Sequence, residues 1–329
     1  MPAGIDVAGE DIQRELDRRK PGNLASASPR REEDQVEILS GLFEGKTTGT
    51  PIALLIRNCD AKSSDYEELR EILRPGQGDF GYQQKFGLRD HRGGGRSSAR
   101  ETAARVAAGA LAGKILDLAG IEVLGFTRAI GEVEITETAL EALILSPAAI
   151  RQNPLFCPDP VWAARMEEQL TAARLAKDSL GGVMEIRVRH CPSGLGEPVF
   201  HKLDADLAGA LMSIGSVKGV EIGTGFILAK MKGSQANDQM DASGFLSNHA
   251  GGILGGISTG QEIILRAACK PIPTIGLPQR TCDIHGHPRE ISLRGRHDVS
   301  SLPRVVPVGE AMVKLVLADH LLRQRTARW

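Results

Sequence analysis

Between Gly87 and Thr102 the chain reads GLRDHRGGGRSSARET, a run of glycines set among cations. Three consecutive glycines, Gly93 to Gly95, free the backbone for positive φ and for close approach to a ligand. Arg92, Arg96 and Arg100 bring positive charge to the same stretch. Ser98 opens a predicted helix, and Glu101 follows at capping-box spacing. The start of such a helix offers unpaired N–H groups and the positive end of a dipole. With arginines around it, the chemistry available is the binding of phosphate or carboxylate. The same residues also suit a tight turn before a core helix, with the arginines solvated, and residue types alone leave both readings open. The stretch is neither a Walker A loop, lacking the Gly-Lys-Ser/Thr ending, nor the G-x-G-x-x-G dinucleotide fingerprint.

The elements that must position this stretch can be read from periodicity. Behind Ser98, a helix to Ala119 presents Val106, Ala107, Ala110, Leu111, Ile115 and Leu118 on one face. An earlier helix, Asp11 to Arg19, carries Ile12 and Leu16 and stops at Pro21-Gly22. Gln35–Ser40, Thr48–Arg57, Glu122–Ile135 (with a turn) and Ile263–Ala268 read as strands. A further strand is expected over Val220–Ala229. Met184, Ile186 and Val188 alternate with Glu185, Arg187 and Arg189, the pattern of a half-buried strand. Helices are expected over Asp65–Leu73, Thr138–Leu145, Val161–Lys177 (Met166, Leu170, Ala173 and Leu175 inward) and Gly309–Arg323, and Asp204 is expected to cap another. Trp162 reads as a core residue.

The 329 residues suffice for a large core, and no Ser/Pro-rich or charge-block linker divides them, so one domain over 1–329 is expected. Forty basic residues balance 41 acidic ones, which argues against a nucleic-acid or membrane-surface partner and leaves a small anionic ligand. Aromatic residues make up only 4%, too few for a base-stacking platform. Cys59, Cys157, Cys191, Cys269 and Cys282 form no C-x-x-C pair, which fits a reducing, cytoplasmic compartment. No apolar run reaches the ~18 residues of a membrane span. His285 and His287 have a spacing that could ligate metal, but no third ligand is evident, and no metal is expected.

Whole segments say more than these patterns. GGGRSSARETAARVAAG, then Gly194–Gly223 (GLGEPVFHKLDADLAGALMSIGSVKGVEIG), Ser247–Ile263 (SNHAGGILGGISTGQEI) and Gly295–Gln324 closely resemble chorismate synthase. The helix segment GEDIQRELDRRKPG and the loop NPLFCPDP resemble the bacterial members. The resemblance implies an α+β fold, a large β-α-β sandwich, and a homotetramer. It implies a lyase that eliminates phosphate from 5-enolpyruvylshikimate 3-phosphate to give chorismate, in the shikimate pathway to aromatic amino acids. Reduced FMN is the implied cofactor, with NADPH as a candidate reductant.

Residue by residue, the resemblance implies Asp298 and Ser98 as catalytic candidates, Asp298 managing the flavin N5 proton. Arg19, Arg92, Arg100 and Arg296 are implied to clamp the substrate anions. Arg96, Ser97, Ser98, Gly215, Ser216, Gly255, Lys270, Pro271, Ile272, Pro273, Thr274 and Arg296 are implied to contact FMN. Several positions depart from the family. Gln77-Gly78 stands where the family has His-Ala, and Gln donates hydrogen bonds without titrating near neutrality. Ala25 replaces an Arg common in bacterial members, and Ile272 and Pro273 replace hydroxyl residues. The family's upstream Gly-Glu-Ser-His-Gly segment is not in this chain, which is therefore expected to be N-terminally incomplete. Two outcomes are consistent with these departures: an active lyase, or an impaired FMN-binding homologue or scaffold subunit.

Overall fold

The computed structural model describes residues 1–20, 33–58, 69–92, 97–292 and 298–327. In chain order come α1 (Gly9–Arg19), β1 (Val36–Ile38), β2 (Leu42–Phe43), β3 (Lys46–Thr47), β4 (Leu54–Ile56), α2 (Asp79–Phe86) and α3 (Thr102–Leu118). Then follow β5 (Glu122–Ile130), β6 (Val133–Glu134), α4 (Glu137–Glu141), α5 (Pro147–Ile150), α6 (Pro160–Leu175), β7 (Gly182–Arg189), α7 (Leu203–Met212) and β8 (Val217–Ile222). The last third holds α8 (Gly233–Ala236), β9 (Met240–Asp241), β10 (Gly244–Phe245), β11 (Ile253–Leu254), β12 (Ile257–Ser258), β13 (Ile263–Cys269), β14 (Gln279–Cys282), β15 (Pro288–Ile291) and α9 (Leu302–Gln324).

One antiparallel sheet, ordered β6-β5-β7-β13-β8, forms the floor. Met184, Ile186 and Val188 of β7 and Ile263, Leu265 and Ala267 of β13 are buried beneath the helices, as the period of two demands. Glu185, on the other face, is buried too, so β7 is covered on both sides rather than half-exposed. It is paired there by Arg128 (3.2 Å) and Arg187 (2.6 Å).

The helix layer is built on α3 and α9. Gly109 of α3 lies where an added Cβ would stand 2.4 Å from the Cβ of Ala311, so its missing side chain sets how closely the helices cross. α9 rests on β5 and β7, α7 on β8 and α9, and α1 on α3. The antiparallel pair β1–β4 closes the far side against α1 and α3. Sheet, helices and a smaller sheet thus stack as a β-α-β arrangement of the α+β class around one buried cluster.

Several expectations shift. β8 ends at Ile222, which pairs with Leu265 of β13; Gly223 and Gly225, both at positive φ, then turn the chain into a 3₁₀ helix at Gly225–Lys230 instead of continuing as strand. Only Leu54–Ile56 of the predicted Thr48–Arg57 strand is paired, because Lys46–Thr47 hairpins onto Leu42–Phe43 first. Leu118 and Leu175 were placed inward by periodicity but are the last residues of α3 and α6 and project past the layer into solvent. Trp162 is only half-buried, its ring 4.9 Å from the Arg165 guanidinium. Lys202, not Asp204, occupies the N-cap position of α7, with no side-chain cap; Asp204 sits in the first turn, where its charge still meets the dipole. The final helix begins already at Leu302, because Pro303 is tolerated in a first turn. Of the predicted Asp65–Leu73 helix, residues 65–68 lie outside the described residues, and Ile72 forms a bridge with Asp283.

Candidate active site

At one end of the five-stranded sheet, β13 hands the chain to Lys270, Pro271, Ile272, Pro273 and Thr274. The Gly76–Gly78 turn comes up against this segment. Gln77 Nε2 donates to Thr274 Oγ1 at 3.1 Å, and the Lys270 ammonium donates to the Gly76 carbonyl. Gly76 has φ +68°, and a Cβ there would lie 2.8 Å from the Cβ of Pro273, so this approach requires glycine. Gly78 faces Ser97, with a virtual Cβ 3.4 Å from the Ser97 Cβ.

Two further segments join the cluster. The Lys270 amide donates to the Ser216 carbonyl at 2.9 Å, which brings Gly215 and Ser216 to the same strand end. Ser179 Oγ donates to the Ile272 carbonyl at 2.6 Å, and the Leu180 amide donates to the Val299 carbonyl at 2.9 Å. Asp298 therefore stands beside this group, its carboxylate taking Arg304 Nη1 at 3.1 Å. Burial pushes the neighbouring Cys269 thiol up to about 11, so it is a packed thiol rather than a nucleophile.

A second cluster adjoins the first through Ser97–Arg100. Arg19 is buried, its side chain 1% exposed, and Nη2 meets Asp34 Oδ2 at 2.7 Å. Arg100 Nη1 takes the other Asp34 oxygen, and its Nη2 donates to the Arg57 carbonyl at 2.8 Å. Burial opposes ionisation of Asp34, but hydrogen bonds from Arg19 and Arg100 outweigh it and hold the carboxyl below its ordinary range. Two guanidiniums share the Asp34 carboxylate beside the start of α3. Ser98 Oγ accepts from the Arg100 amide at 3.3 Å, capping a short 3₁₀ turn. The expected capping box is not formed, because Glu101 pairs with Arg105 at 2.9 Å instead.

Other candidates stand apart. Arg92 pairs with Asp90 at 3.0 Å on the surface. Gly255 lies in the β11–β12 hairpin, near the Ile263 end of β13. Lys270 is at the other end, roughly 20 Å of strand away. Gly93 to Gly95, Arg96, Arg296, His297 and Ala25 lie outside the described residues. His285 and His287 flank a turn in which Asp283 accepts both backbone amides, at 3.0 and 2.9 Å. Among the described residues no group of three or more His, Cys, Asp or Glu is placed to hold a metal. Sequence reasoning passed over Asp34, Asp79, Arg89 and Ser179. Asp34 sits in the charge-dense run RREEDQVEIL, which reads as a solvated face.

The family model described as chorismate synthase matches residues 1–322. The chain belongs to the chorismate synthase family. Chorismate synthase of Syntrophus aciditrophicus (strain SB) is 59% identical over 324 residues, covering 98% of this chain and 90% of that protein. The enzyme of Syntrophobacter fumaroxidans (strain DSM 10017 / MPOB) is 57% identical over 321 residues, covering 98% and 89%. A solved crystal structure of chorismate synthase superposes with a TM-score of 0.74 at 34% identity, covering 98% of this chain and 85% of that one. The family's members are lyases acting on a small-molecule substrate and work with reduced flavin. No described helix is long and apolar enough to cross a membrane.

The Gln77–Thr274 cluster fits a flavin phosphate. The Ser216 hydroxyl is buried beside the Cys269 thiol without a hydrogen bond of normal geometry, and the Ser301 hydroxyl is likewise buried and unsatisfied. Unpaired buried donors of this kind call for an acceptor. An ammonium, hydroxyls and an amide around one strand end supply the donor set for a phosphorylated heterocycle.

Proposed function

We propose that this chain catalyses the anti 1,4-elimination of phosphate from 5-enolpyruvylshikimate 3-phosphate, giving chorismate, with reduced FMN at the Gln77–Thr274 cluster. The observation that carries the reading is the convergence of Gly76–Gly78, Ser97, Ser216, Lys270–Thr274 and Asp298 next to the Arg19–Asp34–Arg100 triad. One C–O bond and one C–H bond break, a new ring double bond forms, and phosphate and a proton leave. The chemistry that reduced FMN supplies when bound is a transient electron, recovered by the end, so no net redox change occurs.

The chain's own residues orient and compensate charge. Lys270, Ser216, Ser97 and Thr274 bind the flavin side, with Gly215, Pro271, Ile272 and Pro273 shaping it through backbone. Gln77 holds Thr274 in place and serves as a neutral donor. Arg100 stabilises the departing phosphate dianion at the N-terminus of α3, Arg92 and Arg296 are assigned to the substrate anions, and Arg96 is assigned to the flavin side. Arg19 acts from behind, through Asp34, by fixing the Arg100 guanidinium. Asp298, tied to Arg304, accepts or returns the proton at flavin N5, and Ser98 fixes the turn that carries Arg100. The chain works as one domain within a homotetramer, and Gly255, remote from Lys270 in one chain, is assigned to flavin contact on the β11–β12 hairpin. NADPH is assigned as the reductant. Anaerobic incubation with photoreduced FMN and substrate is expected to release phosphate and chorismate one for one. Absence of both, with FMN kept reduced, overturns the proposal. Light scattering at about four times the chain mass supports the assembly, and a monomer refutes it.

A further inference from the structure

The Gly76–Gly78 turn is held from behind by a second set of charges. The Asp79 side chain is 2% exposed and receives Arg74 through Nε (2.8 Å), Nη2 (2.9 Å) and the backbone amide (3.1 Å). Arg89 Nη1 reaches the same carboxylate at 3.0 Å. Its Nη2 donates to the carbonyls of Leu69 (3.1 Å), Arg70 (3.0 Å) and Ile72 (3.2 Å). Just before the turn, the Leu73 amide donates to the Cys282 carbonyl at 3.1 Å, and Thr281 Oγ1 donates to the Leu73 carbonyl. Both stems of the turn are thus pinned, one to the β14–β15 hairpin and one to the start of α2.

The charges work in one direction. Burial opposes ionisation of Asp79, but the hydrogen bonds and charge of Arg74, with Arg89 adding to them, prevail and hold it ionised. A bidentate guanidinium–carboxylate pair fixes orientation as well as distance. The Gln77–Thr274 bond, at 3.1 Å, tolerates little displacement, since hydrogen bonds fade beyond about 3.5 Å.

We propose that Asp79, gripped by Arg74 and Arg89, is a positioning residue that sets the Gly76–Gly78 turn against Lys270–Thr274 and thereby fixes the flavin site. The proposal rests on the reading of that cluster as the flavin site. Asp79 acts through the turn, so its effect passes through Gln77 and the Gly76 carbonyl. In Asp79→Asn the side-chain shape is kept while the charge that draws both arginines is lost.

Two measurements on the full chain test this. Hydrogen exchange of the flavin-free protein reads the turn directly: Asp79→Asn is expected to speed exchange at residues 74–78 while leaving α7 unchanged. A double-mutant cycle on the FMN dissociation constant, followed by flavin fluorescence quenching, reads the coupling. Asp79→Asn is expected to weaken FMN binding about tenfold or more, since misplacement by an ångström carries such losses. In a Gln77→Ala background the same change is expected to cost several-fold less than in the wild type, because one of the two contacts it positions is gone while the Gly76 carbonyl still meets Lys270. Arg89→Lys keeps the charge, loses the fork to the three carbonyls, and is expected to show the same coupling; it serves where Asp79→Asn fails to fold. Unchanged exchange at 74–78, or losses that multiply in the double mutant, overturn the positioning role. A wild-type chain that binds no FMN overturns the flavin assignment instead.

Discussion

Removing the Asp34 carboxylate is the sharpest perturbation the structure offers. Asp34→Asn removes the carboxylate that Arg19, with a side chain 1% exposed, meets at 2.7 Å and that Arg100 shares. Breaking a buried guanidinium–carboxylate pair by deleting the carboxylate costs about 3–5 kcal/mol, because the guanidinium keeps its desolvation penalty and loses this partner. That is a large part of the ~5–15 kcal/mol by which a domain is stable. At roughly 2 °C per kcal/mol for a chain of this size, the thermal midpoint falls by about 6–10 °C. The pH dependence gives an independent sign. Asp34 is held below its ordinary 3.8 in the folded chain, so its contribution is fully present above that value and is lost as pH falls through the folded pKa. The gap between wild type and Asp34→Asn in urea unfolding is therefore constant from pH 8 to 5 and narrows below about pH 4. A gap under about 1 kcal/mol at pH 7, within the range of exposed pairs, refutes the buried triad. So does a gap that widens in acid.

Lys270→Met keeps the side-chain length and removes the ammonium. It is expected to weaken FMN binding by roughly 1.5–3 kcal/mol, the worth of a hydrogen bond to a charged group, while riboflavin binding changes little. Calorimetry with both ligands reads this, and equal losses for the two refute phosphate contact. Gly109→Val drives a side chain into the space where a Cβ already lies 2.4 Å from Ala311 Cβ. A loss of about 1–3 kcal/mol by urea unfolding, or an insoluble product, is expected from forcing α3 from α9. Wild-type stability in that variant refutes the close crossing.

What could be read in advance followed from local rules. α1, α3, α6 and β13 were legible because each buries one periodic face, and β5 and β7 were legible as strands although both are covered on two faces. α2 was not, since DFGYQQKF has no apolar period; its start is fixed by Asp79 gripping Arg74, a contact that spacing does not announce. The Val220–Ala229 strand was overextended because Gly223 and Gly225, both at positive φ, turn the chain away while β13 still extends to Ile263. Candidate site residues were found through whole-segment resemblance, not through chemistry: Lys270 and Ser216 look like surface residues until the amide of one bonds the carbonyl of the other. Carboxylates were the systematic omission. Asp34 and Asp79 lie in hydrophilic runs where composition suggests solvent, and only the tertiary fold shows that each collects two arginines.

The doublet Arg18-Arg19 shows why charge runs mislead. Neighbours on a helix point about 100° apart, so one cannot share the other's environment. Both lie in the last turn of α1, where the dipole favours cations, and a solvated pair satisfies every local rule. In the fold Arg18 reaches Glu310 on α9 at 2.6 Å and lies 5.6 Å from the Phe156 ring, while Arg19 turns to Asp34 and the start of α3. Glu310 in turn accepts the Gly125 amide of β5 at 2.7 Å. One turn of one helix therefore ties the sheet, α9 and the arginine triad together through charge. Of these links only the Arg19–Asp34 pair reaches the Arg100 guanidinium, so the position of the cation proposed to meet phosphate depends on a buried pair as well as on the turn that bears it.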